Sequence, residues 1–410
     1  MSDKSQNRNF VPDDLSNYKV VRKGQFAINK MKAWQGSYGV SRHDGIVSPA
    51  YHVYEIAGVD SSFFHAAIRS RAYVPYFTAA SDGVRVGQWD LSATRMREIP
   101  FLVPSRSEQV HIVRFLDHAD RCLRRYIRAK ERLIRLLEEL RQAVVHEAVT
   151  GQIDVRTGQP YGAYKDSGVG KVPEHWDVRR LKHWVEINGR VLPEDADPDH
   201  AFDYLDIGTV TTGRLAKDPE RIRFGNAPSR ARRIVRRGDT IVSTVRTYLK
   251  AVWHARDPVR NGLIASTGFA VLSPRQDAVP EFVSYTCQSD VFTDRVTAES
   301  VGIAYPAIAE TRFGAFEVCV PPLPEQAAIA RFLDDAVERI AEHCGTVRRE
   351  IELLWEYRTR LIADVVTGKL DVREATTAVP ELDSIAGENI ANDTEELVTD
   401  PDPNLRRSYP

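Results

Sequence analysis

The sequence predicts an α+β protein: two mixed α/β globular domains separated by an antiparallel two-helix coiled coil, the whole a pseudo-twofold internal repeat. Three observations predict it. A set of motifs recurs at one offset of 217 residues along the 410-residue chain. Each copy of the set runs into an apolar seam with heptad spacing. Each is also preceded by short β-type runs bounded by turn residues.

The repeat is the primary signal. Val103-Pro104, Glu108-Gln109, Ile112 and Arg114-Phe115-Leu116-Asp117 recur as Val320-Pro321, Glu325-Gln326, Ile329 and Arg331-Phe332-Leu333-Asp334. The same offset carries Arg141 to Arg358, Val149-Thr150-Gly151 to Val366-Thr367-Gly368, and Asp154-Val155-Arg156 to Asp371-Val372-Arg373. A period this long marks a duplicated domain pair, not a solenoid.

Each copy reads as helix. Val320-Pro321-Pro322-Leu323-Pro324 is held extended by its prolines, and Pro324 suits a helix start. In the first copy Ser107 is the expected cap, with Glu108 beside the positive end of the dipole. A short helix followed by a longer one is expected in each copy. The second seam is Ile340, Cys344, Val347, Ile351, Leu354, Arg358, Leu361 and Val365. The first is Leu123, Ile127, Lys130, Ile134, Leu137, Arg141, Val144 and Ala148. A 3.5-residue period is the signature of helices that wrap on one another, and Gly151 and Gly368 are the expected stops. Each seam covers about 25–30 residues, about 40–45 Å of helix. Arg141 and Arg358 share a heptad position, where a charge either fixes register and partner choice or snorkels out of the seam.

The β-type runs include Thr240–Val245 and Ile264-Ala265-Ser266, and the two globular segments align locally. Val21-Arg22-Lys23-Gly24 matches Val235-Arg236-Arg237-Gly238, and the run from Ile46 to Tyr51 matches that from Ile264 to Phe269. Between these anchors the copies diverge, 29–36 against 244–250. A shared scaffold with divergent loops suits two readers of two different ligands. The expected organisation is a globular domain at 1–103, a helical region at 104–151, a linker at 152–171, a second globular domain at 172–320, a second helical region at 321–368, and an acidic tail at 374–410.

Composition narrows the function classes. With 42% hydrophobic and 28% charged residues, the chain has ample material for a core, and no apolar run reaches the length of a membrane span. No signal-peptide core is evident, and Cys122, Cys287, Cys319 and Cys344 are scattered without a C-x-x-C pair, which fits a reducing cytoplasm. The net charge of −1 hides an uneven distribution. The tail from 374 carries nine acidic residues and reads as disordered. Between Arg214 and Lys250, eleven Lys/Arg face three acids, an excess of eight. That cluster reads as either a solvated face or a phosphate-binding surface.

The chain resembles the specificity subunits of type I restriction–modification enzymes. The resemblance is carried by the two P-x-x-x-E-Q and R-F-L-D motifs, the two V-T-G endings followed by D-V-R, the Lys165–Val178 stretch containing Val172-Pro173-Glu174-His175-Trp176, and the Lys30–Tyr51 stretch with its Gly-Ile-Val-Ser-Pro-Ala-Tyr end. It covers roughly residues 20–373. It implies two target-recognition domains, each reading half of a split, asymmetric double-stranded DNA site, with the paired helices as a ruler. It also implies methyltransferase subunits, two of them, docking on the helical repeats, with a restriction subunit as a further candidate and no membrane. No cofactor is expected in this chain; S-adenosylmethionine belongs to the methyltransferase. The first domain departs from the pattern, with no Pro-x-x-Trp motif ahead of Val21.

Candidate base-reading residues are Lys30, Lys32, Trp34, Gln35 and Tyr38 in the first domain and Arg246, Thr247, Tyr248 and Lys250 in the second. Arg and Lys suit guanine edges, Gln suits adenine, and aromatics pack on sugars, thymine methyls or an extruded base. For Trp34 and Tyr248, domain core is the competing reading. Arg230, Arg232 and Arg233, with Arg236 and Arg237, are candidates for phosphates. The candidate partner-docking residues are Pro104, Glu108, Gln109 and Phe115 with their repeats Pro321, Glu325, Gln326 and Phe332.

Enzyme readings lack their residues. No lysine has Asp or Glu two positions before it, as a metal-dependent nuclease needs, and no N/D-P-P-Y/F loop occurs to grip a target amine. Neither G-x-x-x-x-G-K-S/T nor H-E-x-x-H is present, and His111 and His118 read as helix-surface residues. A non-catalytic chain is expected. A coiled-coil scaffold accounts for the heptads but not for the globular domains, and a freestanding DNA-binding regulator has no need of repeated docking motifs.

Overall fold

The computed structural model describes residues 14–85, 88–256 and 262–377. The chain separates into two compact units, residues 1–131 with 348–410 and residues 132–347. Both long helices, α4 (Arg106–Val149) and α9 (Leu323–Val366), contribute to each unit.

In unit 1, β1 (Lys19–Val21) pairs antiparallel with β4 (Gly45–Val47). Next to this ladder, β2 (Phe26–Asn29) is flanked by β3 (Tyr38–Val40) and β5 (Tyr51–Tyr54), both antiparallel to it. α1 (Ser61–Ile68) starts where the Asp60 carboxylate accepts from the N–H groups of Ser62 and Phe63, satisfying two of the helix's orphan donors. α2 (Val74–Ala79), the hairpin of β6 (Ser81–Arg85) and β7 (Gln88–Leu91), and α3 (Ala93–Arg97) complete the globular part. Ile28, Phe63 and Phe77 share one core with Ile112 and Leu116 of α4 and Leu361 and Val365 of α9. Asp120 pairs with Arg358, and Lys130 with Glu350 at 2.7 Å. Numbers rise on one helix as they fall on the other, so the pair is antiparallel.

Unit 2 holds the hairpin of β8 (Tyr164–Ser167) and β9 (Gly170–Pro173), then β10 (Asp177–Arg180), α5 (Leu181–Trp184) and β11 (Val185–Ile187). β12 (Ala201–Leu205), the short pair β13 (Val210–Thr211) and β14 (Arg214–Leu215), β15 (Glu220–Arg223), β16 (Ala231–Val235), β17 (Thr240–Ser243), β18 (Val252–His254), β19 (Leu263–Ser266) and β20 (Phe269–Pro274) follow. With β11, all of these but the β13–β14 pair form two four-stranded sheets, ordered β11-β20-β17-β18 and β15-β12-β19-β16. α6 (Pro280–Gln288), α7 (Asp290–Ala298), α8 (Glu310–Gly314) and β21 (Glu317–Val320) lead into α9. Trp176, Trp184, Phe282, Phe313 and Phe316 are fully buried with Val145 and Ala148 of α4 and Ile329 and Leu333 of α9. The end of one helix meets the start of the other, so this pair is antiparallel too.

The repeat is visible in the backbone. β1–β4 and β3-β2-β5 in unit 1 have counterparts in β16–β19 and β18-β17-β20 in unit 2. Gly24 and Gly238, which end the aligned V-R-K-G and V-R-R-G, have φ of 90° and 87°, a region where an L side chain is strained. Their N–H groups donate to Ser41 O and Ala255 O at 2.9 and 2.8 Å. A turn of 3₁₀ helix sits in each divergent loop, at Ala33–Gln35 and at Thr247–Leu249.

The helices depart from expectation in two ways, and the open question of the seam arginines is resolved. Each copy is one unbroken 44-residue helix, about 66 Å long, not a short helix and a longer one; α4 has no glycine or proline to break it and α9 only Gly345 in its interior. The cap is Ser105, whose hydroxyl accepts from Glu108 N at 3.3 Å; Ser107 lies inside the first turn. Neither seam arginine snorkels free. Arg358 is held by Asp120 and lies 5.6 Å from the Trp355 ring, and Arg141 donates to Gln288 at 2.6 Å. The seam positions are all buried or half-buried, and both helices stop in the same motif. Gly151 and Gly368 have φ of 74°, and the next N–H reaches back to Glu147 O at 2.9 Å and Asp364 O at 2.8 Å. Of the acidic tail, 374–377 belong to α10 (Arg373–Thr377), with Thr376 buried; this part is helical, not disordered. The remainder lies outside the described residues.

Candidate nucleic-acid interface

In unit 1 the divergent loop is pinned by its backbone. Lys30 donates to Ala50 O and accepts from Leu91 N, both at 2.9 Å. Lys32 is exposed, and Lys30, Trp34 and Gln35 are half-buried. The Trp34 ring stacks on Trp89 with centroids 5.5 Å apart, which fixes its orientation. Tyr38 is not available to a ligand. It is 4% exposed, 4.2 Å from the Phe77 ring, and its hydroxyl has no hydrogen-bond partner among the described residues. Burial pushes the phenol well above its ordinary pKa. As the first residue of β3 its side chain points into the core.

In unit 2 the loop after β17 is strained at both ends. Arg246 and Lys250 are left-handed, with φ of 54° and 47°, a cost that packing must offset. Tyr248 is exposed, whereas Thr247 is buried and cannot touch a base. Lys250 is also withdrawn from ligand binding, since its ammonium meets Asp290 at 3.0 Å and Asp294 at 2.6 Å. Burial lowers its pKa, but the bonds to the two carboxylates outweigh this and hold it above the ordinary value. The residue anchors the loop. A second loop lies alongside that sequence reasoning missed. Val301 and Ala307 exchange hydrogen bonds at 2.9 and 3.0 Å, and Arg246 N donates to Pro306 O at 2.8 Å. The Arg246 guanidinium lies 4.8 Å from the Tyr305 ring. Ile303 and Tyr305 at the tip are strongly exposed. The apolar run Ile303-Ala304-Tyr305 between Gly302 and Pro306 was the available signal.

The basic cluster is partly neutralised from outside its own segment. Arg221 pairs with Asp203 at 3.2 Å, Arg223 with Asp199 at 3.3 Å, Lys217 with Asp206 at 4.0 Å and Arg233 with Glu310 at 3.9 Å. Arg232 lies 5.2 Å from the Phe224 ring and donates to Ser229 O and Pro193 O. Arg230, Arg236 and Arg237 remain exposed, Arg230 reaching Tyr204 Oη at 3.4 Å. The expected excess of eight is therefore not one free basic face.

The repeated P-x-x-x-E-Q motifs turn out to be internal clasps. Gln109 Oε1 accepts from Asp60 N at 2.7 Å while its Nε2 donates to Pro104 O at 2.8 Å. Gln326 does the same with Val279 N at 2.9 Å and Pro321 O at 2.8 Å. Glu325 is buried and receives Tyr161, His175 Nε2 at 2.9 Å and Arg156 at 3.4 Å. Gln109, Pro321, Glu325 and Gln326 thus offer no surface to another protein. Phe115 and Phe332 pack against the two cores, leaving Pro104 and Glu108 half-exposed. The helices do carry bare apolar residues elsewhere. In unit 2, Leu136 and Leu140 of α4 are exposed; in unit 1, the residues at the 217 offset, Leu353 and Tyr357 of α9, are exposed as well.

Residues 173–353 match a family model described as the type I restriction modification DNA specificity domain. The MjaIX specificity subunit of a type I restriction enzyme from Methanocaldococcus jannaschii is 25% identical over 186 residues, 43% of this chain and 41% of that protein. The putative MjaX specificity subunit of the same organism is 22% identical over 302 residues, 70% of this chain and 63% of that protein. The chain thus spans less than two thirds of the length of these relatives. A solved structure from work on complex assembly and conformational transition of the type I R-M system shares the fold, with a TM-score of 0.63 at 17% identity over 86% of this chain and 84% of that one. Among the described residues, no helix is long and apolar enough to cross a membrane.

Proposed function

We propose that this chain, whose residues 173–353 match the type I restriction modification DNA specificity domain, reads a bipartite, asymmetric DNA target and carries methyltransferase subunits to it. The observation that carries this reading is the pair of equivalent β frames bearing unlike loops. One frame offers Lys30, Lys32, Trp34 and Gln35, the other Arg246 and Tyr248 with Ile303 and Tyr305 beside them. Arg246 is held by its backbone and by the Tyr305 ring, so a guanine edge meets a pre-oriented fork. Exposed Arg230, Arg236 and Arg237 suit phosphates, which position without reading sequence.

The chain supplies recognition and no bond-making group; S-adenosylmethionine and the transfer chemistry reside on the partner. Leu136–Leu140 and Leu353–Tyr357 are equivalent apolar pairs, one in each unit, which suits two copies of one partner. A restriction subunit is a further partner of the same complex, and the cytoplasm is its compartment.

The test is base-resolution mapping of methylated adenines when the chain is produced with its methyltransferase. The expected pattern is two short blocks of specified bases with unread base pairs between them. Arg246→Ala relaxes one block by about 1–3 kcal/mol per base pair and leaves the other unchanged. A contiguous target, or methylation indifferent to this chain, overturns the reading.

A further inference from the structure

The two copies of the fold differ in one respect that recurs at three positions. In unit 2, β10 lies antiparallel along β21, with Val178 opposite Cys319 and Asp177 opposite Val320, so Cys319 and Val320 are 7% and 4% exposed. At the 217 offset unit 1 has Leu102 and Val103, which lie in no strand and are 56% and 55% exposed. The helix ends show the same contrast. A Cβ at Gly151 would run into Pro173 and Trp176, whereas one at Gly368 meets nothing within 4 Å. The sheet edges show it again. β11 covers β20 at Leu272–Pro274, and Trp184 just ahead of it is buried edge-on to Phe282 at 5.9 Å. The corresponding Tyr54, Glu55 and Ile56 of unit 1 instead line an open cavity of about 260 Å³ with Phe64, Met96 and Phe101. A single stretch of unit 2, from Val172 to Ile187, supplies all three covers. In unit 1 all three seats are bare among the described residues.

We propose that the seat beside Leu102, Val103 and Gly368 is taken by a segment of this same chain, Val379–Ile385, added as a strand. Val379-Pro380-Glu381 and Ile385 repeat Val172-Pro173-Glu174 and Val178 at one offset of 207 residues. The described part of unit 1 ends at Thr377, two residues before Val379, and it ends anchored. Val372 lies in the unit 1 core and Thr376 is buried. The approach is repeated as well. Arg373 forks onto Asp371 as Arg156 does onto Asp154. Glu108 acts electrostatically on Arg373, where Glu325 accepts from Arg156. Leu102 N already donates to Tyr73 Oη at 3.1 Å; strand addition gives partners to the other backbone groups of 101–103 and buries Leu102 and Val103, the two gains that drive edge pairing. Val379 and Pro380 then lie over Gly368 as Val172 and Pro173 lie over Gly151.

The test is amide hydrogen exchange on the full chain, on a chain ending at Thr377, and on the full chain carrying Val379→Asp with Ile385→Asp. Unit 2 peptides serve as the folding control. The peptide covering 99–105 is expected to exchange about tenfold more slowly in the full chain than in the other two. Adding a synthetic 377–390 peptide is expected to restore slow exchange to the shortened chain. Equal exchange in all three chains overturns the proposal. Protection that rises with protein concentration assigns the seat to a second copy and overturns it too.

Discussion

Replacing Gln326 by alanine isolates the clasp between α9 and the globular part of unit 2. The side chain is 1% exposed. It accepts from Val279 N at 2.9 Å and donates to Pro321 O at 2.8 Å and Asp277 O at 3.1 Å. Three bonds at about 1 kcal/mol each, with a buried N–H left unpaired, put the loss at about 3–4 kcal/mol. For a unit of this size the melting temperature falls by about 10 °C. The assay is urea unfolding of the full chain followed by tryptophan fluorescence, with Trp176 and Trp184 reporting on unit 2 from its core. Gln326→Glu sharpens the test. It keeps an acceptor for Val279 but turns a carboxylate oxygen onto two carbonyls, which raises its folded pKa above the unfolded value of about 4.3. Stability from the neutral form is then present below that value and lost as pH rises through the folded pKa, so the variant is weaker at pH 7 than at pH 4. A loss under about 0.5 kcal/mol for Gln326→Ala refutes the clasp and returns the residue to the surface role its motif suggested.

Two further outcomes follow from burial and exposure. Tyr38→Phe removes a hydroxyl that burial leaves unpaired, so urea unfolding should show no loss and a gain of up to about 1 kcal/mol; a loss above that implies a partner for the hydroxyl. Leu136→Asp with Leu140→Asp should change stability by less than about 0.5 kcal/mol yet remove one methyltransferase copy from the purified complex, read by native mass measurement. Leu353→Asp with Tyr357→Asp should remove the other, and an intact complex in either case excludes these pairs as docking sites.

The helices and the duplicated frame were legible because their evidence is periodic and local: heptad spacing, V-T-G endings, and V-R-K-G against V-R-R-G. The misread positions depend on neighbours far along the chain. Lys250 looks like a ligand for DNA until Asp290 and Asp294 are folded against it. Gln109 and Gln326 follow prolines at helix starts, where polar residues are ordinarily exposed, and only tertiary contact with Asp60 and Val279 draws them inside. Thr247 and Tyr38 are inward-facing members of loops or strands too short to show alternation. Ile303 and Tyr305 went unnoticed because neither lies in a periodic segment.

The glutamine clasps have a consequence for how such a chain can vary. Each grips the globular module through backbone groups alone, at Asp60 or at Val279 and Asp277, and the lead-in to its own helix by a proline carbonyl. Backbone groups are common to almost all residue types, so the joint is indifferent to the identity of the side chains it fastens. A different reading head with an amide at that point can be seated on either rod without altering the rod.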